Sequence, residues 1–181
     1  MCIRDRHTFA YFFAKDFIGS YNDFKQRIDE IQSVINIKGL DEQKQNIINK
    51  LSYINIITSL DTFICDIILT KIIQDEESFN NFFNSIPPCK KKDEMTKLKE
   101  DNLVAQWEQK VIEYVMRTSY SNIDTIKDIL KELFKVSIID TNGKMKKHFY
   151  YRNLLAHRNG RKKDGGYINI TNEELKSEAV I

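Results

Sequence analysis

The chain has 181 residues, of which 41% are hydrophobic and 30% are charged, and its formal net charge at pH 7 is only +2. These values are ordinary for a single soluble globular domain. The three cysteines, at positions 2, 65 and 89, form no CxxC or Cys/His cluster, which excludes a recognisable zinc site or disulfide framework and favours a reducing cytoplasm. No apolar run reaches the ~18 residues that span a bilayer, so we expect no membrane segment.

The first part of the chain predicts two helices before the longest one. Residues 1–8 look unrelated to the rest of the sequence, and we interpret them as a leader or a sequence-assembly scar ahead of one helical domain over 9–181. Phenylalanines recur every four residues from Phe9, which predicts a short helix that ends at Gly19. Ser20 is then the expected N-cap of a second helix.

The longest predicted helix runs over residues 42–73 and is capped by Asp41. Its buried stripe is expected to begin at Ile47, Leu51 and Ile54, with the same three- and four-residue spacing beyond them. The elements predicted after it are a short helix over 76–84, a helix around Val104–Val115, a helix opened by Ser121, a turn at Thr141–Gly143, a helix over 144–158, an extended segment or short strand over 167–170, and a last helix opened by the capping box Thr171–Glu174.

These elements predict an all-α fold, a helical bundle with one long central helix. Six glycines and two prolines leave few breaks, and short connections make consecutive helices pack side by side. The segment over 167–170 is the one expected extended piece. Because the last helix reaches the end of the sequence, we expect it to be truncated.

One short segment carries the positive charge of the chain. The stretch 144–163 contains eight Lys/Arg and no Asp or Glu, so the remaining residues must sum to −6, since the whole chain is +2. Arg152, Asn153 and His157 lie within this stretch. A cationic field around an imidazole points to a phosphodiester polyanion, most economically RNA.

On one ideal helix these three side chains cannot all share a face. Asn153 and His157 are four residues apart and lie on one side. Arg152 is about 140° from His157 around the axis, on a stripe with Phe149 and Ala156 that is expected to be buried. Three arrangements bring the two groups together: a long side chain that reaches round, an irregular helix, or two copies of the helix across a two-fold axis.

Neighbouring residues bear on these arrangements. Tyr150 and Leu154 give the helix a second apolar side, which favours the dimer. A buried arginine is costly unless it is paired. Asp61 and Asp66, on the long helix, are the candidates to neutralise it; otherwise they are exposed polar positions.

The segment Tyr151–Gly160 resembles the R-x4-H signature of the HEPN superfamily of ribonucleases and RNA-binding domains. Arg152 and His157 match the two signature positions, and Asn153 occupies the polar position that often follows the arginine. The segment Ser59–Asp66 is similar to the second helix of the HEPN group that is fused or related to RiboL-PSP domains.

The resemblance implies a metal-independent endoribonuclease that needs no cofactor and acts as a homodimer through the helix 144–158. The RNA 2′-OH would be the nucleophile, with His157 as general acid or base, Arg152 on the phosphate and Asn153 orienting the imidazole or binding a phosphate oxygen. The expected products carry 2′,3′-cyclic phosphate and 5′-OH ends. Family analogy also implies a prokaryotic toxin or defence effector, partnered by an antitoxin or a fused regulatory domain.

Two other interpretations stay open: a non-catalytic RNA-binding or dimerisation HEPN module, and a helical scaffold with no nucleic-acid partner. The chain also departs from many family members, which carry an acidic residue shortly before the arginine where this chain has two lysines and His148. His148 has no partner in sequence and is expected to be solvated. Contact with the RNA backbone and plain solvation are both open for Lys146, Lys147, Arg158, Arg161, Lys162 and Lys163.

Overall fold

The computed structural model describes residues 16–85, 96–97, 100, 104–118, 120 and 122–178. Its helices are α1 (Phe17–Ile35), α2 (Glu42–Gln74), α3 (Glu76–Ser85), α4 (Val104–Arg117), α5 (Ile123–Phe134), α6 (Lys144–Arg158) and α7 (Asn172–Glu178). Within these ranges the only β-type pairing is one isolated bridge. The predicted all-α fold is therefore confirmed, together with the long helix and the helix over 144–158. No described helix is both long and apolar enough to cross a bilayer.

The predicted helix break at Gly19 and Ser20 is wrong, because both residues lie inside α1. Asp16 is the N-cap of this helix, since its carboxylate accepts a hydrogen bond from the Gly19 N–H at 2.6 Å. A single glycine inside a helix costs only about 1 kcal/mol relative to alanine. The leader over 1–8, the start of the aromatic helix at Phe9 and the expected cap Ser121 lie outside the described residues.

The described residues fall into two compact units, and α2 contributes to both. The first, here called the α3–α5 unit, contains α3, α4, α5 and the part of α2 from Ile64 onward. Ile68, Phe82, Val111 and Ile126 form its buried apolar centre. Burial of these side chains, each worth roughly 1.5–3 kcal/mol, is what holds the unit together.

Helix α3 begins with a capping aspartate. The Asp75 carboxylate accepts hydrogen bonds from the Glu77 N–H at 3.2 Å and from the Ser78 hydroxyl. The bond from Ser78, followed by the one from Lys71, holds the pKa of Asp75 below its ordinary value of 3.8.

The second unit, here called the α6–α7 unit, contains α6, α7, the greater part of α1 and α2 up to Phe63. Asp41 caps α2 as predicted, because its carboxylate accepts the Lys44 N–H at 2.8 Å. The hydrogen bond from the Lys44 side chain lowers the pKa of this carboxyl. The predicted capping box is also confirmed: Glu174 accepts the Thr171 N–H at 2.9 Å, and Thr171 Oγ1 accepts the Glu174 N–H at 3.2 Å.

The segment over 167–170 alternates as expected, with Ile168 and Ile170 buried and the residues beside them exposed. It forms no strand and is paired through the one bridge. One of its carbonyls is satisfied by a side chain of α2, because the Asn49 amide donates to the Ile170 carbonyl at 2.9 Å. This contact pins the C-terminal segment onto the long helix.

The predicted start of the buried stripe of α2 is wrong. Ile47 and Leu51 are 52% and 54% exposed, whereas Asn49 and Tyr53 are buried. The physical reason is that polar groups of the later segments face α2 and need partners inside the unit, which only polar side chains supply. The first turns of α2 therefore face the interior of the unit with Asn49 and Tyr53 and not with the predicted apolar stripe.

Candidate functional site

Helix α6 carries the three predicted catalytic residues, and specific backbone features fix both of its ends. At its start, Gly143 takes a left-handed φ of 66°, and the Asp140 carboxylate accepts a hydrogen bond from the Met145 N–H at 2.9 Å. At its end, Gly160 has φ of 81° and donates its N–H to the Leu154 carbonyl at 2.9 Å. These two ends set the register of the helix and hence the positions of its side chains.

Arg152 lies on the side of α6 that packs against α2, and it is paired there. Its Nη2 lies 3.3 Å from Oδ2 of Asp61, and the two side chains are only 16% and 22% exposed. Its Nη1 donates a hydrogen bond to Oδ1 of the neighbouring Asn153 at 3.0 Å. The expected neutralisation by Asp61 is therefore confirmed, while Asp66 belongs to the other unit.

The Arg152 guanidinium is not fully satisfied by these contacts. Its Nε is buried and makes no hydrogen bond to any of the described residues. An unsatisfied buried donor costs about 1–3 kcal/mol. Such groups are uncommon in folded proteins, and a catalytic role is one of their recognised explanations.

His157 lies on the last turn of α6 and is exposed, as is Ala156, whose predicted burial is wrong. The buried side of α6 thus ends at Leu155, one turn before the chain leaves the helix. Within one chain, Arg152 is held against α2 and His157 faces outward, as the expected angle between them requires. Asn153 is half-buried and lies between them, in contact with Arg152 and one helical turn before His157.

The expectation that His148 is solvated is wrong. Its side chain is buried, with 7% exposure, and its Nδ1 lies 2.7 Å from the hydroxyl oxygen of Tyr53, so that one of the two donates to the other. His148 is four residues before Arg152 and therefore shares its face of α6. Two polar pairs consequently link α2 to α6, Tyr53–His148 and Asp61–Arg152.

For this second pair, the sequence indicated where His148 lies but not which residue it pairs with. The i, i+4 spacing of His148 and Arg152 places both on one stripe, and Arg152 was already expected to need a buried partner. The missing signal was the partner, because Tyr53 is 95 residues away in the chain and no local pattern connects it to His148.

The predicted RNA-contacting residues are largely accessible. Lys146, Lys147, Arg158, Arg161 and Lys163 are exposed, and Lys162 is half-buried. The Lys147 ammonium lies 5.2 Å from the centre of the Tyr151 ring, a cation–π contact that leaves its charge at the surface. Within the described residues, no three His, Cys, Asp or Glu side chains come together as a metal site would require. Comparison of the chain with protein-family models, with curated proteins and with solved structures gives no significant match.

Proposed function

We propose that this chain is a metal-independent endoribonuclease of the HEPN type, with His157 as its general acid or base and Arg152 as its phosphate ligand. The observation that carries the proposal is the exposed imidazole of His157, which lies in a cationic segment that no carboxylate interrupts. Exposed Arg158 and Arg161 attract a polyanion to the same end of α6. An accessible proton-transfer group in such a field is what RNA cleavage requires.

The chemistry needs only side chains of these types. A base removes the proton of the RNA 2′-OH, the 2′ oxygen bonds to phosphorus, and the bond from phosphorus to the 5′ oxygen breaks. The departing oxygen takes a proton from an acid, leaving a 2′,3′-cyclic phosphate and a 5′-OH. Proton transfer by an imidazole contributes about 10²–10⁴-fold in rate. A guanidinium stabilises the added charge on the phosphate oxygens.

The dimer is part of the same proposal. Arg152 and His157 lie on different sides of one α6, so a complete site requires a second copy to supply the missing group. Support comes from the side of α6 that bears His157, where Tyr150 is 47% exposed, although Leu154, the other apolar residue expected on this side, is buried. An exposed aromatic side chain next to His157 suits packing against a second α6 helix.

A second candidate function is a non-catalytic RNA-binding module. The observation that favours it is the Asp61–Arg152 ion pair, because a carboxylate at 3.3 Å offsets the guanidinium charge that would otherwise attract a phosphate. In this case the exposed basic residues would bind RNA, and His157 would have no chemical task.

Incubation of the purified chain with RNA in EDTA separates the two candidates. For the nuclease we expect cleavage with 2′,3′-cyclic phosphate ends by the wild type, none by His157→Ala, and unchanged cleavage by the surface control Arg27→Ala. Retained binding with no cleavage would favour the RNA-binding module. A requirement for added magnesium would contradict the metal-independent mechanism.

A mixing experiment tests whether the site is shared. Neither His157→Ala nor Arg152→Gln should cleave RNA alone. Random re-pairing of the two variants makes half of the dimers mixed, each with one site that has both groups, so about a quarter of wild-type activity should return. A site contained in one chain would give no recovery.

A further inference from the structure

The chain forms a short hairpin directly after α6, over residues 160–168, here called the basic hairpin. The Lys162 N–H donates to the Gly166 carbonyl at 2.8 Å, and the Ile168 N–H donates to the Gly160 carbonyl at 2.9 Å. These two bonds bracket one antiparallel bridge. The buried Ile168 anchors the hairpin to the core of the α6–α7 unit.

The turn of the basic hairpin is also well defined. The Gly165 N–H donates to the Lys162 carbonyl at 3.2 Å, and Gly165 has φ of 87°, as in three-residue hairpin loops that place glycine in the left-handed region. One oxygen of the Asp164 carboxylate accepts the Gly166 N–H at 3.0 Å. The one acidic side chain of the hairpin is therefore engaged with its own turn.

Arg161 and Tyr167 are the bridged pair, and the hydrogen bonds on either side make them a non-hydrogen-bonded antiparallel pair. In such a pair the two side chains leave the same face with Cβ atoms about 4.5–5.5 Å apart. Arg161 is exposed, and Tyr167 is 63% exposed. Across the part of the chain that the structure describes, neither side chain has a hydrogen bond, ion pair or ring contact.

The exposed Tyr167 and Arg161 make no such internal contact with the described residues, so both side chains are available to a ligand. Single-stranded nucleic acid is the ligand that matches both groups, because each nucleotide presents a flat base for the ring and a phosphate for the guanidinium. A duplex matches them poorly, since its bases are already stacked on each other. Exposed Lys163, in the same hairpin, adds to the positive field.

We propose that Arg161 and Tyr167 form a binding site for one unpaired nucleotide of single-stranded RNA, with the base stacked on Tyr167 and the adjacent phosphate on Arg161. This inference rests on the proposed RNA-directed function and names its substrate as unpaired RNA. Arg161 follows His157 by four residues, so their Cα atoms lie within about 15 Å of each other. A nucleotide held by the basic hairpin therefore positions the strand near the imidazole.

Binding of a fluorescent single strand of about 12 nucleotides, measured by anisotropy at fixed salt, tests this site. The strand carries 2′-O-methyl groups, so it has no nucleophile and binding is measured without cleavage. The variants are Tyr167→Ala, Tyr167→Phe and Arg161→Ala. Tyr21→Ala, at a tyrosine that is 54% exposed, and Arg27→Ala are the matched controls.

We expect Tyr167→Ala to raise Kd by about 5- to 150-fold, the range that base–aromatic stacking contributes. Tyr167→Phe should bind like the wild type, because it keeps the ring. Arg161→Ala should weaken binding and reduce the salt slope by about one. The controls should bind normally, and a duplex of the same sequence should be insensitive to Tyr167→Ala. Circular dichroism confirms that each variant is folded.

Three results would overturn the site: a Kd for Tyr167→Ala within about twofold of wild type, equal loss of duplex binding, or loss of a dimer by Tyr167→Ala in size-exclusion chromatography. The last result would make the pair a protein interface. Cleavage of unmodified RNA separates this inference from the proposed enzyme. Binding that depends on Tyr167 without any cleavage supports the nucleotide site and contradicts the nuclease. Cleavage of RNA, with binding that is unchanged by Tyr167→Ala, supports the nuclease and contradicts the nucleotide site.

Discussion

Removal of the Asp61 carboxylate should destabilise the protein by leaving Arg152 as an uncompensated charge between α2 and α6. Breaking a fully buried pair costs about 3–5 kcal/mol, and breaking an exposed pair costs about 0–1 kcal/mol. Here the two side chains are 16% and 22% exposed and meet through one contact of 3.3 Å. We therefore expect Asp61→Ala to cost about 2 kcal/mol, which for a chain of this length lowers Tm by about 4–8 °C.

The decisive comparison is a double variant in which both charges are absent. Replacement of a buried ion pair by apolar side chains is often neutral, so Asp61→Leu combined with Arg152→Met should lie within about 1 kcal/mol of the wild type. The assay is urea unfolding followed by far-ultraviolet circular dichroism and by fluorescence, whose transitions must coincide.

An exposed pair is the matched control. Lys44 and Asp41 are closer together, at 2.7 Å, but 68% and 55% exposed, so Lys44→Ala should leave the unfolding midpoint within error of the wild type. An unchanged midpoint for Asp61→Ala, or a double variant no more stable than Asp61→Ala, would refute the argument that partial burial gives the pair its importance.

Three further outcomes follow from other contacts. Gly160→Ala should lower Tm more than the control Gly143→Ala. Both variants place a side chain at positive φ, which costs about 1–2 kcal/mol. A Cβ at Gly160 would also lie 3.2 Å from a leucine methyl, whereas Gly143 faces open space. Equal losses would show that the helix end relaxes. Tyr53→Phe should cost about 1–2 kcal/mol in urea unfolding, because His148 Nδ1 loses its hydroxyl partner; no change would contradict the buried pair. The pKa of Asp75 is lowered by the hydroxyl hydrogen bond at the start of α3. The contribution of the Asp75 carboxylate to the free energy of unfolding is therefore complete above pH 3.8 and is lost as pH falls through the lower folded-state pKa. Asp75→Asn should therefore flatten the acid side of the stability curve, and a variant with an unchanged acid limb would show that the hydrogen bond has no such effect.

Local patterns were sufficient where local physics decides the structure. The helix over 144–158 and the capping box at Thr171 follow from periodicity and from side chains a few residues apart. The same rules failed at the start of α1, where Asp16 caps the helix through a glycine that was expected to end it. Asp and Ser are both favoured at the N-cap, so residue type alone does not decide between Asp16 and Ser20.

Long-range polar contacts were beyond the sequence rules. Ile47 and Leu51 have the spacing of a buried stripe, yet the structure buries Asn49 and Tyr53 instead. Asn49 satisfies a backbone carbonyl 121 residues later, and such a requirement exists only once the fold is formed. Pairing of Arg152 with Asp61 was anticipated because an arginine on a buried stripe requires an acidic partner. The long helix offered two candidates, Asp61 and Asp66.

The same ion pair offers a test of the catalytic role that we propose for Arg152. An arginine that served only to fix α6 against α2 would be replaceable by an apolar pair without loss of activity, provided that the fold survives. An arginine that also stabilises the transition state could not be replaced without loss of activity, because removal of one such donor costs about 10²–10³-fold in kcat. The stable double variant with Leu at 61 and Met at 152 separates these roles, which Arg152→Ala alone cannot do because it changes stability and chemistry together. We expect this variant to unfold like the wild type and to cleave RNA at least about 100-fold more slowly. This factor is about the loss in kcat that follows removal of one hydrogen-bond donor to the transition state. Wild-type cleavage by it would assign Arg152 to the structure alone and leave His157 and the basic hairpin as the functional surface.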